Sequence, residues 1–129
     1  IAEGCMIYGT VRNSVLFPGV IVENGTLIEN SIVMSNSHVG ENCHLDQCII
    51  SEDVRIYNNV TIGQGDNLPN ADKPNIYNSG ITVVGEGAEI PEGTTIGKNV
   101  MVDMDARQED FCSSKICSGA SVYKGGICE

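Results

Sequence analysis

Three consecutive blocks of this sequence align without gaps at a spacing of 17 residues, and this repeat restricts the fold more than any other feature. The blocks are residues 13–29, 30–46 and 47–63, and each has large aliphatic side chains at three positions, six residues apart. On an α-helix a step of six turns by ~240°, so these positions would not share one face. They are Leu16, Val22 and Ile28, then Val33, Val39 and Leu45, then Ile50, Ile56 and Ile62.

Three aliphatic positions per block indicate three short strands per turn of a parallel β-helix with hexapeptide-type coils. A small residue often stands two positions before the aliphatic one, as Ser37 and Thr26 do. This pairing suits a narrow triangular core, and the chain has no Trp and only 5% aromatic residues. Residues one block apart should then stack about 4.8 Å from each other, as on neighbouring parallel strands.

After Gly80 the aliphatic positions recur at strict steps of six. They are Val84, Ile90, Ile96 and Val102. We therefore predict one all-β domain over residues 1–129, with coils at 4–63 and 80–102.

The two remaining segments are predicted to leave the coil. Residues 64–79 contain Pro69 and Pro74 among many polar residues, which indicates a loop. That loop is either a solvated excursion or a contact with another domain or subunit. The tail, 103–129, loses the period and is predicted to be an irregular cap, in which Asp105–Asp110 either starts a short helical turn or stays irregular.

Stacking at this spacing predicts specific neighbours. One is an exposed ion pair between Arg12 and Glu29. Two further columns would each stack like side chains, and in the second of them Cys48 is a packing residue rather than a reactive one. The columns are Asn13, Asn30 and Gln47, and Ser14, Ser31 and Cys48.

Charge and apolar content exclude several functions. The formal net charge is −10, from 7 basic and 17 acidic residues, which disfavours nucleic acid and membrane surfaces as partners. No apolar run approaches ~18 residues, and no signal peptide is visible. The chain opens at Ile1 and its pattern begins almost at once, so we expect a fragment of a longer protein.

Catalytic and metal-binding motifs are missing from the sequence. The six cysteines form no C-x-x-C pair, and we interpret them as free thiols in a reducing cytoplasm. The G-x-G pieces at 63–65 and 85–87 fall at coil corners, and no G-x-S-x-G, H-E-x-x-H or Walker sequence occurs. We predict no catalytic residue, no metal site and no cofactor in this domain.

The best catalytic candidates by residue type are two outward-facing histidines. His44 shares a column with Thr61, and His38 stacks on Arg55, so the pair His38 and Arg55 is the candidate site for an anionic effector. Carboxylates are also available, but nothing in the pattern encloses them to shift a pKa for acid–base work. They are Glu41, Asp46, Glu52 and Asp53.

Four stretches resemble the C-terminal domain of bacterial glucose-1-phosphate adenylyltransferase, also called ADP-glucose pyrophosphorylase. They are GTVRNSVLFPGVIVENG (9–25), NSIVM (30–34), KPNIYNSGITVVGEGAEIPEGTTIGKN (73–99) and SSKICSGASVYKGG (113–126). Of these, SGITVVGEGAEIPEGTTIG is much more specific than the hexapeptide pattern itself.

The resemblance implies a left-handed coil and a cytoplasmic parent enzyme. That enzyme would make ADP-glucose from ATP and glucose 1-phosphate, with Mg²⁺, for glycogen biosynthesis. Its catalytic domain would lie N-terminal to this segment, and the resemblance implies a homotetramer or a close variant of one. Within it this domain would serve oligomerisation and allosteric regulation by anionic metabolites. Glu86 stands where photosynthetic members have a Lys for a phosphorylated activator, so the resemblance does not carry that site over.

Two other functions remain open from the sequence. A hexapeptide acyltransferase would place His38 or His44 as a catalytic base between subunits of a trimer, with an acyl-CoA as donor. A pure assembly module would instead use an outward apolar patch formed by Ile21, Leu27 and Tyr57.

Overall fold

The computed structural model describes residues 4–63, 70, 80–111 and 114–123. Its described residues form seventeen strands of two or three residues and one turn of 3-10 helix, Gln108–Asp110. None of the described segments is a helix with the length and hydropathy needed to cross a membrane. The strands are β1 Met6–Ile7, β2 Thr10–Arg12, β3 Val15–Leu16, β4 Ile21–Val22, β5 Leu27–Glu29, β6 Ile32–Val33, β7 His38–Val39, β8 His44–Asp46, β9 Cys48–Ile50, β10 Arg55–Ile56, β11 Thr61–Ile62, β12 Thr82–Val84, β13 Glu89–Ile90, β14 Thr95–Ile96, β15 Met101–Val102, β16 Lys115–Ile116 and β17 Ser121–Val122.

Each of the first five turns adds one strand to each of three parallel sheets, which we call faces A, B and C, and the last described turn adds one strand to B and one to C. Face A has the order β1-β4-β7-β10-β13, face B the order β2-β5-β8-β11-β14-β16, and face C the order β3-β6-β9-β12-β15-β17. The parallel β-helix of hexapeptide-type coils is therefore confirmed. The left-handed sense of the coil stays a prediction of the resemblance.

The core is the triangular column enclosed by the three faces. Every aliphatic position of the three predicted columns is buried, with Leu16 at 2% exposure and Val39, Ile56 and Ile62 at 0%. Within the three aligned blocks the strands pair in register one repeat apart, as Val22 does with Val39 and Val39 with Ile56. The sequence repeat thus returns each side chain to the same column, and burial of branched aliphatics stabilises the stack.

The predicted break at 64–79 does not shift the phase of the coil. Ile50 pairs with Val84 and Ile62 pairs with Ile96, and each of these separations is twice the repeat. Asn70 is described within this segment, is 1% exposed, and donates from Nδ2 to the carbonyl oxygens of Asn99 and Ala120, each at 3.0 Å. The other residues of the predicted loop lie outside the described ones.

The prediction of an irregular cap over 103–129 is wrong for two segments of the tail. Lys115–Ile116 extends face B beside Thr95–Ile96, and Ser121–Val122 extends face C beside Met101–Val102. The register here is 20 residues, because the chain inserts the 3-10 turn before returning to the coil. This longer step hides the two strands from a search at the shorter repeat of the first coils. Asp105–Asp110 does contain the helical turn that was one of the two alternatives.

The predicted side-chain stacks form, with one interruption. Asn13 donates from Nδ2 to Oδ1 of Asn30 at 2.7 Å, but the amide of Asn30 turns to Asp46 at 3.2 Å. Gln47 instead accepts from Nζ of Lys98 at 3.1 Å, so the amide ladder stops there. All three ladder residues have positive φ, between 47° and 50°, which lets the chain turn the corner.

The neighbouring column and the ion pair are confirmed. The backbone N–H of Cys48 donates to Oγ of Ser31 at 3.2 Å, and Cys48 is 1% exposed, as a packing residue should be. Arg12 Nη1 lies 3.8 Å from Glu29 Oε1, with 69% of the arginine side chain exposed, so this pair adds about 0–1 kcal/mol at most.

Candidate functional site

The outward row of face A brings the predicted effector residues side by side. Strand pairing places Ile21 against His38, His38 against Arg55, and Arg55 against Glu89. His38 and Arg55 are therefore neighbours, as the column spacing predicts. Both are partly buried, because the strands on either side cover them.

The hydrogen bonds of His38 assign its proton. Arg55 donates from Nη1 to Nδ1 of His38, and since a guanidinium has no acceptor, Nδ1 must accept. Nε2 therefore carries the proton of a neutral imidazole and donates to Oε2 of Glu23 at 2.9 Å. Both ring nitrogens have partners, which holds the ring in one orientation and leaves no free lone pair for a general base.

Charges of alternating sign continue along this face. The guanidinium of Arg55 lies over the ring of Tyr57, with Cζ 4.9 Å from the ring centroid. Next to it, Glu89 Oε2 lies 3.5 Å from Nη1 of Arg107. Glu23 and Arg107 complete the site, and the sequence analysis missed both. Glu23 lies at the corner after β4 and Arg107 immediately precedes the 3-10 turn, and in neither place does the repeat pattern tell which way a long side chain points.

His44, the second histidine, lies on face B in a different arrangement. Its Nε2 is 3.8 Å from Oε2 of Glu29, which is too long for a hydrogen bond, and the same carboxylate group faces Arg12. The Nε2 atom is enclosed and has no hydrogen-bond partner among the described residues. The structure does not bring His44 together with His38, because the two belong to different faces.

Three exposed carboxylates meet at the corner between faces C and A. One oxygen from each of Glu52, Asp53 and Glu86 lies within 4.8 Å of the others. Glu52 and Asp53 were singled out in the sequence, and the doubled repeat across residues 64–79 adds Glu86. Carboxylate oxygens are the ligands that hard cations such as Ca²⁺ and Mg²⁺ prefer, but exposed acidic clusters are common without a bound ion. Their negative charge also repels phosphate groups.

The described cysteines are free thiols, as predicted: Cys5, Cys43, Cys48 and Cys117. Burial raises the pKa of Cys43 above its ordinary value, and it raises the pKa of Cys48 to about 12. A thiol with so high a pKa stays protonated near neutral pH and is a poor nucleophile. Cys112 and Cys128 lie outside the described residues.

Known proteins were compared with this sequence and fold. A family model described as GlmU-like, C-terminal hexapeptide matches residues 1–84. The glucose-1-phosphate adenylyltransferase of Acetivibrio thermocellus is 57% identical over 129 residues, which is 100% of this chain and 30% of that protein. The enzyme of the same name from Ruminiclostridium cellulolyticum is 54% identical over the same share of each chain. This chain thus spans about 30% of the length of these relatives.

A solved structure shares the fold. The acetyltransferase domain of PglB from Neisseria gonorrhoeae FA1090, in complex with acetyl coenzyme A, superposes with a TM-score of 0.51 at 16% identity. The match covers 92% of this chain and 53% of that one, and at this identity it supports the coil architecture alone. The chain belongs to the GlmU-like C-terminal hexapeptide family, and over its full length it is similar to the C-terminal part of glucose-1-phosphate adenylyltransferases.

Proposed function

We propose that this chain is the C-terminal oligomerisation and allosteric-regulatory domain of a glucose-1-phosphate adenylyltransferase. The rest of that enzyme, N-terminal to this domain, makes ADP-glucose and pyrophosphate from ATP and glucose 1-phosphate with Mg²⁺, for glycogen biosynthesis in the cytoplasm. One observation supports the proposal. All 129 residues align with the Acetivibrio thermocellus adenylyltransferase at 57% identity, and the alignment covers only 30% of that enzyme's length.

The side chains of face A and of the corner before it favour a binding role over a catalytic one. Both nitrogens of His38 are engaged, and the carboxylates of Glu52, Asp53 and Glu86 are exposed to water. An acid–base catalyst needs a shielded pocket and a free proton site, and neither group offers that combination. The domain then acts on the reaction through assembly and through effector binding.

Within this proposal, His38 and Arg55 are the residues that an anionic metabolite would contact. Arg55 is fixed on one side by Tyr57 and on the other by His38, so its guanidinium is held in place rather than free to rotate. An anion that binds there must compete with the carboxylates of Glu23 and Glu89. We therefore expect weak binding by this pair alone and tighter binding where other subunits or domains add cations.

A domain exchange tests the proposed function. The C-terminal part of the Acetivibrio thermocellus enzyme is replaced by this chain, and pyrophosphate release from ATP, Mg²⁺ and glucose 1-phosphate is measured with a panel of sugar phosphates. We expect an assembled, active chimera whose response to sugar phosphates differs from that of an enzyme truncated before the domain. An inactive, unassembled chimera beside an active parent enzyme would contradict the proposal.

The acyltransferase alternative has its own measurement. The 129-residue chain is incubated with acetyl coenzyme A and amino-sugar acceptors, with His38→Ala and His44→Ala as matched variants. Under our proposal no variant differs from wild type, because no acetyl transfer occurs above background. Transfer that disappears in either variant would replace our proposal with the alternative.

A further inference from the structure

The corner between β4 and β5 extends beyond the coil that precedes it. Four residues, 23–26, join β4 to β5, and four residues also join the equivalent strands of the next three coils. In the first coil, however, only Tyr8 and Gly9 join β1 to β2. The first coil therefore crosses this corner by a shorter path, so that it covers only part of the turn at 23–26.

Backbone hydrogen bonds show which part of the turn is left uncovered. The N–H of Tyr8 donates to the carbonyl oxygen of Val22 at 2.8 Å, and the N–H of Thr10 donates to that of Thr26 at 2.8 Å. The first coil thus passes directly from the beginning of the turn to its end. Residues 24 and 25 lie outside this path.

Asn24 and Gly25 therefore occupy the uncovered part of the turn. Among the described residues, the N–H of Gly25 makes no hydrogen bond and the side-chain amide of Asn24 has no partner. Asn24 is exposed, and its carbonyl oxygen accepts from the N–H of Asn42 at 3.1 Å. Gly25 has a φ of +76°, and an added Cβ would collide with Oδ1 of Asn42, so the turn requires glycine here. The sequence has no other Asn-Gly pair.

An exposed asparagine followed by a glycine with a free N–H meets the requirements for intramolecular deamidation. The backbone nitrogen of Gly25 can attack Cγ of Asn24, because glycine has no Cβ to hinder the approach. The new N–Cγ bond closes a five-membered succinimide, the Cγ–Nδ2 bond breaks, and ammonia leaves with the proton of the N–H. Water then opens the ring at either carbonyl carbon, which leaves aspartate or isoaspartate at position 24.

The same column contains an asparagine that the preceding coil does cover. Asn58 lies two repeats after Asn24, and its Oδ1 accepts from the N–H of Glu41 at 2.9 Å. The N–H that follows it, that of Asn59, donates to the carbonyl oxygen of Glu41 at 2.9 Å. The amide group and the backbone nitrogen that would close the ring are thus both engaged. We expect Asn58 to keep its amide.

Position 24 adjoins the residues proposed to bind an anionic effector. The neighbouring Glu23 accepts from Nε2 of His38 at 2.9 Å, and Nδ1 of His38 accepts from Arg55. A carboxylate at position 24 adds one negative charge to this end of the site, which disfavours an anion at Arg55. Isoaspartate also lengthens the main chain by one carbon beside Glu23, which alters the position from which Glu23 holds His38.

We propose that Asn24–Gly25 is a site of spontaneous deamidation, and that this modification weakens anion binding at His38 and Arg55 as the protein ages. The same turn supplies the amide and the attacking nitrogen, so no modifying enzyme is required. The modification depends only on this chain, whereas its effect on regulation rests on the proposed function.

Ageing of the 129-residue chain at mildly alkaline pH tests the modification, because the deprotonated backbone nitrogen is the nucleophile. Peptide mapping by mass spectrometry measures the loss of amide at each asparagine. The matched variant is Asn59→Gly, which gives Asn58 the same glycine neighbour in a covered corner, and the φ of 60° at Asn59 suits glycine. We expect position 24 to lose its amide at least about tenfold faster than position 58 of this variant, where two hydrogen bonds must first open.

Two results would overturn the modification site. One is an amide at position 24 that survives ageing of the folded chain, while a urea-unfolded sample loses it. The other is an equal loss of amide at positions 24 and 58 of Asn59→Gly, with the variant folded by circular dichroism. The uncovered turn would then make no difference to the reaction.

The chimera of the domain exchange tests the effect on regulation. Asn24→Asp introduces the carboxylate directly and should weaken the response to sugar phosphates. Asn24→Gln keeps an amide that cannot close a five-membered ring, and it should respond like wild type. Equal responses of the two variants would overturn the effect on the effector site. An inactive chimera would overturn the proposed function and this effect with it, but the amide loss measured on the isolated chain would stand.

Discussion

Face A and face C are built from the same short parallel strands and bury the same kind of side chain, yet they present opposite rows to the outside. Inward, face A has Val39 and Ile56 and face C has Val33 and Ile50, all at 0% exposure. Outward, face A carries a charged row around His38 and Arg55, whereas face C carries aliphatics. The strand ladder uses only backbone groups, so outward positions are free to vary once the inward column is filled.

This difference separates the inward side chains, which stabilise the fold, from the outward side chains, which are available for function. The inward columns stabilise the coil equally on all faces, because burial does not depend on which face supplies the side chain. The outward rows differ in chemistry: face A carries charged side chains, for which we propose anion binding, and face C carries apolar side chains. Substitutions that act on one row and not the other can test this division.

The largest effect is expected from the inward columns. Ile56→Ala on face A and Ile50→Ala on face C should each lower the free energy of unfolding by about 2–5 kcal/mol, since both leave a cavity in a closely packed core. Urea unfolding followed by circular dichroism measures it, with outward Ile49→Ala as the milder control. A loss on one face alone would show that the two inward columns are not equivalent.

A smaller effect should distinguish the faces at alkaline pH. Burial raises the pKa of Cys48 from its ordinary value of 9.0 to about 12, so above pH 9 the unfolded chain loses a proton that the folded chain keeps. Stability is thus fully present below pH 9 and is lost as the pH rises toward the folded pKa, with a loss of about 1.4 kcal/mol at pH 10. Face A has Val54 and Ala88 at the corresponding inward positions of its central coils, and neither side chain titrates.

The test of this thiol is a comparison of two proteins across pH. Unfolding free energies of wild type and Cys48→Ala are measured from neutral pH upward, and their difference isolates Cys48 from other groups that titrate in the same range. We expect the wild type to lose stability more steeply. Parallel curves would contradict the raised pKa of Cys48.

The smallest effect is expected on the charged row of face A. Arg55→Ala should change the free energy of unfolding by only about 0–1 kcal/mol, because its contacts with His38 and Tyr57 lie at a partly exposed position. Arg12→Ala, which removes a more exposed cation, is the control. In the chimera, Arg55→Ala should weaken the response to sugar phosphates, while Arg12→Ala should not. If the Arg55→Ala and Arg12→Ala chimeras respond equally to sugar phosphates, Arg55 is not part of the effector site.

The sequence analysis was accurate where the repeat was uninterrupted. The inward columns from Leu16 to Ile62, the stack of Ser31 on Cys48 and the proximity of His38 to Arg55 all follow from a fixed step of 17 residues. It failed in the tail, because the 3-10 turn at Gln108–Asp110 lengthens the step to 20 residues and removes the periodic signal. The outward residues that it grouped as one apolar patch lie on different faces, with Ile21 on face A and Leu27 on face B.

By itself, the sequence determined the coil, its three inward columns and the lack of a catalytic motif, because a short period of branched aliphatics admits few packed arrangements. Only the tertiary structure decided which side chains meet across the corners and across residues 64–79. The His38 ring is oriented by hydrogen bonds with Arg55 and Glu23, and the carboxylate cluster joins Glu52 and Asp53 to Glu86 from beyond residues 64–79. Such meetings depend on the corners and on the phase kept across residues 64–79, and a local pattern does not encode either one.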